Sequence, residues 1–205
     1  MAEHFRTLKP CCMLNPVPAV LVSCRRSPEE RPNLITLAWA GTVCSEPPMV
    51  SVSVMPRRYS HDILRDSGEF VINLVDAAHC REMDFCGVRS GRDVDKFRHC
   101  GFTPVKAEGL DLAPAVAECP AYLSCRVKQI LPLGSHDLFL AEVVGVEVRE
   151  ELFSGDGSMH LEKGGLVCYN HGLYQRTGEV LGFFGYSVAR PEVLEKRMAP
   201  YRDVK

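Results

Sequence analysis

The sequence predicts a mainly β protein, an antiparallel barrel or sandwich with helical insertions, on three observations. Apolar, β-branched runs such as Val17–Cys24, Asn33–Ala40 and Met49–Val54 recur at turn-rich intervals. Helix-compatible stretches gather between Ala77 and Cys100 and do not alternate with strands, which argues against a repeated strand–helix–strand unit. A chain of 205 residues can bury one sizeable core and is short for two, and no linker or repeat divides it, so residues 1–205 are expected to form one domain.

Val17–Cys24 is rich in valine and reads as the first strand. Arg25–Pro32 is charged and proline-containing, a loop. Asn33–Ala40 is the second strand, and Glu46-Pro47-Pro48 turns the chain into a third, Met49–Val54, where serine and valine alternate at a period of two. Ser60 is placed to cap a short helix over His61–Asp66, which Ser67-Gly68 ends, and Phe70–Leu74 is the fourth strand. Ala77–Cys86 and Asp93–Cys100 are helical, with Gly87–Arg92 between them, Asp93 as the second N-cap and Gly101 as its stop. Ala121–Leu131 and Leu138–Glu147 are longer strands joined by Pro132-Leu133-Gly134-Ser135, and Leu166–Asn170 and Val180–Phe184 are shorter, glycine-punctuated ones.

Apolar residues make up 46% and charged residues 24%, ordinary for a soluble globular chain. A net charge of -2 gives no field that would favour nucleic acid or an anionic membrane, so neither is expected as a partner, and any bound phosphate must be held locally. No apolar run approaches the ~18 residues of a membrane-spanning helix. None of the ten cysteines has CxxC spacing, which argues against a structural zinc or thioredoxin-like site, and no metal is expected. The first ten residues lack the apolar stretch of a secretory signal, so a cytoplasmic protein with reduced thiols is expected. Most of those thiols should then act as small buried hydrophobes, with Cys44, close to Trp39, as the exception.

The corner Arg57-Arg58-Tyr59-Ser60 brings cations and hydroxyls to a helix N-terminus, where free N–H groups attract anions. Its plainer reading is a capped surface helix preceded by solvated arginines. Lys96 falls in a first helical turn, where a cation opposes the helix dipole, a misfit expected where function outranks stability. Its plainer reading is an exposed lysine paired with Asp93 or Asp95. Trp39, the only tryptophan, is either core or a flat aromatic wall, and His136 is either structural at a strand start or part of a site. Gly182-Phe183-Phe184-Gly185 is not a phosphate loop, because its glycines lie within an aromatic strand pattern. No Rossmann fingerprint, Walker A, GxSxG or HExxH motif occurs.

Taken together, Asn33–Gly41, Glu46–Val54, the Arg57–Ser60 corner, Ser90–Phe97 followed by Gly101-Phe102-Thr103-Pro104, Gly134-Ser135-His136 and Leu166–Tyr174 resemble the flavin reductase-like branch of the FMN-binding split-barrel proteins, which includes the flavoredoxins. The likeness runs from about Pro16 to Pro191. It implies a Greek-key split β-barrel holding FMN non-covalently, with Arg57, Arg58, Ser60 and Lys96 toward the phosphate and Trp39 beside the ring. Asn33 and Thr36 would add polar groups, and the Ser51-Val52-Ser53-Val54 backbone would face the ring's hydrogen-bonding edge. Asn33, Thr36 and Trp39 do not share one face under strict alternation, so a bend or bulge near Ala38–Gly41 is required. His136 is placed near the ring as the one candidate for a catalytic role, although Ser135 and Ala141 stand where the family commonly has aspartate and glycine. Tyr169 or His171 would cap the ring or gate a nicotinamide. The family's habit of pairing implies a homodimer, with Val180–Tyr186 as a candidate contact.

The function implied is an FMN oxidoreductase passing electrons from NADH, NADPH or a redox partner to an acceptor such as free flavin or another protein, with chemistry supplied by the cofactor and alignment by the fold. The alternative is an FMN-binding electron carrier without NAD(P)H oxidation of its own. A third, distant reading is a cysteine-dependent metal or redox sensor.

Overall fold

The computed structural model describes residues 4–202. Its strands are β1 (Val17–Pro18), β2 (Val20–Cys24), β3 (Asn33–Leu37), β4 (Ala40–Ser45), β5 (Pro48–Val54), β6 (Glu69–Leu74), β7 (Pro104–Val105), β8 (Ala115–Val116), β9 (Ala121–Pro132), β10 (Asp137–Val148), β11 (Val167–Asn170) and β12 (Leu173–Arg176). Its α-helices are α1 (Tyr59–Ser67), α2 (Cys80–Val88), α3 (Lys96–Cys100) and α4 (Pro191–Met198). The main sheet has seven strands in the order β3-β2-β6-β9-β10-β5-β4, every neighbouring pair antiparallel. The two outermost strands, β3 and β4, are successive in the chain. The step at Ala38–Trp39 therefore carries the backbone from one edge of the sheet to the other, and the sheet curls into a split barrel. Ser53 N–H donates to the Trp39 carbonyl at 2.9 Å across this step. β1 pairs with β11 and β11 with β12 in a small second sheet, and β7 pairs with β8.

Burial explains the strand sequences. β5 alternates, with Val50, Val52 and Val54 buried in the barrel and Ser51 and Ser53 half-buried on the other face. β2 is buried along its whole length. Val20, Val22 and Cys24 join the barrel interior with Phe70 and Phe139, while Leu21 packs with Met83, Cys86 and Phe97 beneath α2 and α3. α1 lays Ile63 and Leu64 into the same interior. His61 on α1 meets the Asp137 carboxylate at 2.8 Å, tying the helix to the start of β10.

Two buried polar side chains of β6 anchor the 106–120 segment. Glu69 accepts from the N–H groups of Asp111 and Leu112 at 3.1 and 2.8 Å and pairs with Arg126 at 3.2 Å. Asn73 accepts from Val116 N–H at 2.8 Å and donates to the Leu21 carbonyl at 3.0 Å and to Ser23 Oγ at 2.9 Å.

Several local expectations change. The run Asn33–Ala40 is not one strand but β3, a bend and the start of β4. Ser60 does not cap α1, because Arg58 is the N-cap, without a side-chain hydrogen bond, and Ser60 is buried in the first turn. α3 begins at Lys96, capped by Asp95 through Arg98 N–H at 3.1 Å, so Asp93 is not the cap. Val180–Phe184 is irregular instead of a strand, and β12 takes the place beside β11. Val180–Phe184 pairs with no strand among the described residues, and Leu181 and Phe184 stand in solvent. Cys24, Cys86, Cys119 and Cys125 are buried, but Cys44, Cys80, Cys100 and Cys168 are only partly so and Cys11 and Cys12 are exposed, so fewer thiols are buried than expected. Burial pushes the Cys24, Cys119 and Cys125 thiols up to about 12, which keeps them protonated and inert. Among the described residues no helix is long and apolar enough to cross a membrane.

Candidate functional site

Three cavities run side by side along the split between β3 and β4. The first, about 320 Å³, lies where the N-terminus of α1, the end of α2 and the 89–92 turn meet β3. Asn33, Arg57, Arg58, Ser60 and Lys96 all line it, and so do Arg89 and Arg92. Lys96 is buried, and its ammonium donates to the carbonyls of Leu34 and Cys86, each at 2.6 Å. An ammonium has three donors, which leaves one for the cavity. The exposed pairing with Asp93 or Asp95 does not occur. No ion pair among the described residues involves Arg57, Arg58, Arg89, Arg92 or Lys96. A buried cation without a counter-charge is costly, and burial accordingly draws the Lys96 ammonium below its ordinary value.

Asn33 holds the floor of this cavity by donating to Ser60 Oγ at 2.8 Å. Gly91 approaches so closely that a Cβ there would sit 2.0 Å from Asn33 Oδ1 and 2.8 Å from the Tyr59 ring. Only glycine fits. Arg31 fixes the same turn by donating to the Gly91 carbonyl at 2.7 Å. An uncapped helix N-terminus, a serine hydroxyl, a buried ammonium and guanidinium groups are the donor set that a phosphate monoester requires.

The second cavity, about 210 Å³, shares Ile35 and Arg58 with the first and adds Thr36, Trp39, Ser53, Val54, His136 and Tyr169. Trp39 is 45% exposed, so the core reading fails for it. Its ring lies 4.4 Å from the His136 ring, centroid to centroid. His136 has Ser135 Oγ as its partner at 2.9 Å, which answers the missing family aspartate, since Asp137 is engaged by His61. Burial, with Arg58 and Arg57 nearby, lowers the His136 imidazole below its ordinary value and keeps it neutral at pH 7. Thr36 lines this cavity while its hydroxyl donates to the Met83 carbonyl, so it also pins α2 onto β3.

The third cavity, about 670 Å³, continues past Trp39 and Tyr169 to Ser51, Thr42 and His171, with the N-terminal arm at Cys11–Asn15 as its far wall. Cys44 lines none of the three; its thiol donates to the Glu46 carbonyl at 3.3 Å. One placement needs correction. The backbone of Ser51 and Val52 is engaged by β10 and β4 and the Ser53 N–H by the Trp39 carbonyl, while the Val52 and Val54 side chains belong to the core. What β5 presents to the cavities is Ser51, Ser53 and the Val54 end of the strand. The bend required near Ala38–Gly41 is present, and it is what brings Thr36 and Trp39 into one cavity. Arg89, Gly91, Arg92 and the Cys11–Asn15 arm were not singled out as site residues by sequence reasoning. Ser90-Gly91-Arg92 lay within a recognised segment, but nothing in the periodicity of residues 11–15 marks them.

A split barrel with this cation-lined corner beside an aromatic trough defines the class of FMN-binding split-barrel proteins. The chain belongs to the flavin reductase like domain family, whose model matches residues 13–177. Flavoredoxin of Desulfovibrio vulgaris (Miyazaki F) superposes with a TM-score of 0.83 at 30% identity, over 91% of this chain and 100% of that one. An FMN-binding protein from Thermus thermophilus, with bound 1-cyclohex-2-enone, superposes at 0.73 with 26% identity, over 89% and 99%. The reductase component of a 4-nitrophenol 4-monooxygenase/4-nitrocatechol 2-monooxygenase from Rhodococcus opacus is 31% identical over 53% of this chain and 55% of that protein. The match to an uncharacterised protein of Archaeoglobus fulgidus, 29% identical over 57% of this chain, spans 66% of that relative. The fold and family are those of oxidoreductases.

Proposed function

We propose that the protein binds FMN non-covalently along the first two cavities and works as an electron-transferring flavin oxidoreductase. The observation that carries this reading is Lys96, a buried cation with no carboxylate partner, opening into a cation-lined corner that adjoins the Trp39–His136 trough. The phosphate would take the Lys96 ammonium, the α1 N-terminus and the Arg57–Ser60 corner, and the ring would lie against Trp39 and His136. Bound there, FMN supplies the redox chemistry, and the chain supplies position and electrostatics. The third cavity, open beside Trp39 and Tyr169, is where a nicotinamide of NADH or NADPH, or an acceptor such as free flavin, would meet the ring. The flavoredoxin likeness fits the electron-carrier variant, and the likeness to a monooxygenase reductase component fits the variant with a reductase activity of its own. Purified protein should be yellow and release FMN on denaturation; a colourless protein that fails to take up added FMN overturns the reading. Anaerobic stopped-flow mixing with NADH or NADPH then separates the variants, since only the NAD(P)H oxidase bleaches the flavin absorbance.

His136 gives a second expectation. A neutral imidazole beside the ring contributes a hydrogen bond, not a full charge, worth about 0.5–1.5 kcal/mol. His136→Ala should therefore lower the two-electron potential of bound FMN by roughly 10–30 mV at pH 7, where about 30 mV corresponds to 1.4 kcal/mol. Potentiometric titration of both FMN-saturated proteins checks this, and an unchanged potential removes His136 from the redox role.

A homodimer completes the proposal. Leu181, Phe184 and Val188 of the C-terminal segment are 80%, 105% and 87% exposed, an apolar surface that a second copy would cover. Light scattering at micromolar concentration should return twice the 22.8 kDa chain mass, and a monomeric value argues against the pairing.

A further inference from the structure

The first cavity carries more positive charge than one phosphate uses. Arg57, Arg58, Arg89, Arg92 and Lys96 all line it, and no carboxylate does. A phosphate monoester dianion neutralises about two of these charges. Arg26, Arg65, Arg126 and Arg149 do have acidic partners, in Asp66, Asp62, Glu69 and Glu151, whereas none of the five cations at this cavity has one among the described residues.

Arg89 and Arg92 form its outer rim. Both are exposed, whereas Lys96 and Ser60 are buried at the inner end. The rim is built on a fixed turn, because Arg31 donates to the Gly91 and Arg92 carbonyls at 2.7 and 3.4 Å, and Gly91 packs against Asn33 and Tyr59. The Arg92 guanidinium lies 5.2 Å from the centre of the Tyr59 ring and donates to the Arg57 carbonyl at 3.5 Å. The Arg89 side chain makes no hydrogen bond among the described residues, while its backbone N–H closes α2 on the Phe85 carbonyl at 3.0 Å.

Building on the FMN reading, we propose that Arg89 and Arg92 bind a second phosphate group, so that the corner recognises a dinucleotide as well as a mononucleotide. Guanidinium groups suit this task because they offer paired N–H donors to phosphate oxygens. That phosphate has two sources of the same chemistry. One is the diphosphate of FAD seated in place of FMN. The other is a phosphate of NADH or NADPH bound beside resident FMN.

The test compares wild type with the double variant Arg89→Gln/Arg92→Gln. Flavin fluorescence titration measures FMN and FAD affinities, and calorimetry on FMN-loaded protein measures NADH and NADPH. The expected result is FMN affinity within about twofold of wild type and a loss of at least about tenfold for one dinucleotide class, partly restored by Arg89→Lys/Arg92→Lys. A loss confined to FAD assigns the rim to the flavin's own diphosphate, and a loss confined to NADH or NADPH assigns it to the second ligand. The inference is overturned if FMN weakens as much as the dinucleotides, which would make both arginines part of the first phosphate seat, or if no dinucleotide weakens. Wild-type protein that binds no flavin overturns the FMN reading instead, a result visible before any variant is made.

Discussion

Replacing Glu69 with alanine should lower the stability of the folded protein by about 3–5 kcal/mol. Glu69 is 4% exposed, and its carboxylate accepts from Asp111 and Leu112 N–H while pairing with Arg126. Truncation removes the acceptor from all of these at once. The N–H groups lose their partner inside a tight loop, and the methyl group left at position 69 cannot hold that loop against β6. For a domain of this size the loss corresponds to a melting temperature lower by roughly 6–20 °C. Glu69→Gln keeps an acceptor oxygen and the side-chain volume but loses the charge, so its effect should fall between alanine and wild type. Thermal denaturation followed by circular dichroism decides the matter, and an alanine variant within about 1 kcal/mol of wild type removes Glu69 from this role. None of the residues it anchors lines the three cavities, so ligand affinity of the folded variant should hold.

Glu69 also shows what the sequence could not convey. Between Gly68 and Phe70 it reads as the last polar residue before a strand, and its burial depends on a loop 42 residues further along the chain. The strands that were legible are those whose pattern is set by their own two faces. β5 alternates serine and valine because one face is interior, and β9 and β10 are long enough to outweigh their irregular registers. β4 and β12 were missed because edge strands bury little. Residues Gly41–Val43 of β4 and all of β12 are exposed, so no hydrophobic period marks them. The site divides in the same way. The Arg57–Ser60 corner could be read because cations and a hydroxyl at a helix start state their chemistry locally. The role of Ser60 as a buried acceptor for Asn33, instead of a cap, depended on β3 lying beneath α1. The N-terminal wall of the third cavity is a product of tertiary packing alone.

Lys96→Met should weaken FMN by roughly ten- to a hundred-fold and leave riboflavin nearly unchanged. Loss of a charge-assisted hydrogen bond to a phosphate costs about 1.5–3 kcal/mol, and riboflavin has no phosphate to lose it from. Methionine keeps most of the buried stem but removes the charge and the hydrogen bonds to the Leu34 and Cys86 carbonyls, so riboflavin affinity serves as the control for any loss of local structure. The pH dependence supplies a sharper signature. Burial holds the Lys96 ammonium below the ordinary lysine value of 10.5. The phosphate needs the charged form, so wild-type FMN affinity should stay level while Lys96 remains protonated and fall as pH rises through its depressed value. That fall should begin at lower pH than for an ordinary lysine. Bound phosphate favours the ammonium and raises its pKa, so FMN binding should take up protons within the same window. In Lys96→Met this lysine-linked fall and proton uptake should both vanish. Fluorescence titration of FMN and riboflavin across that range, with calorimetry in two buffers of different ionisation enthalpy, measures each quantity. Equal weakening of both ligands would place Lys96 at the ring, and an unaltered pH profile in the variant would remove its charge from phosphate recognition.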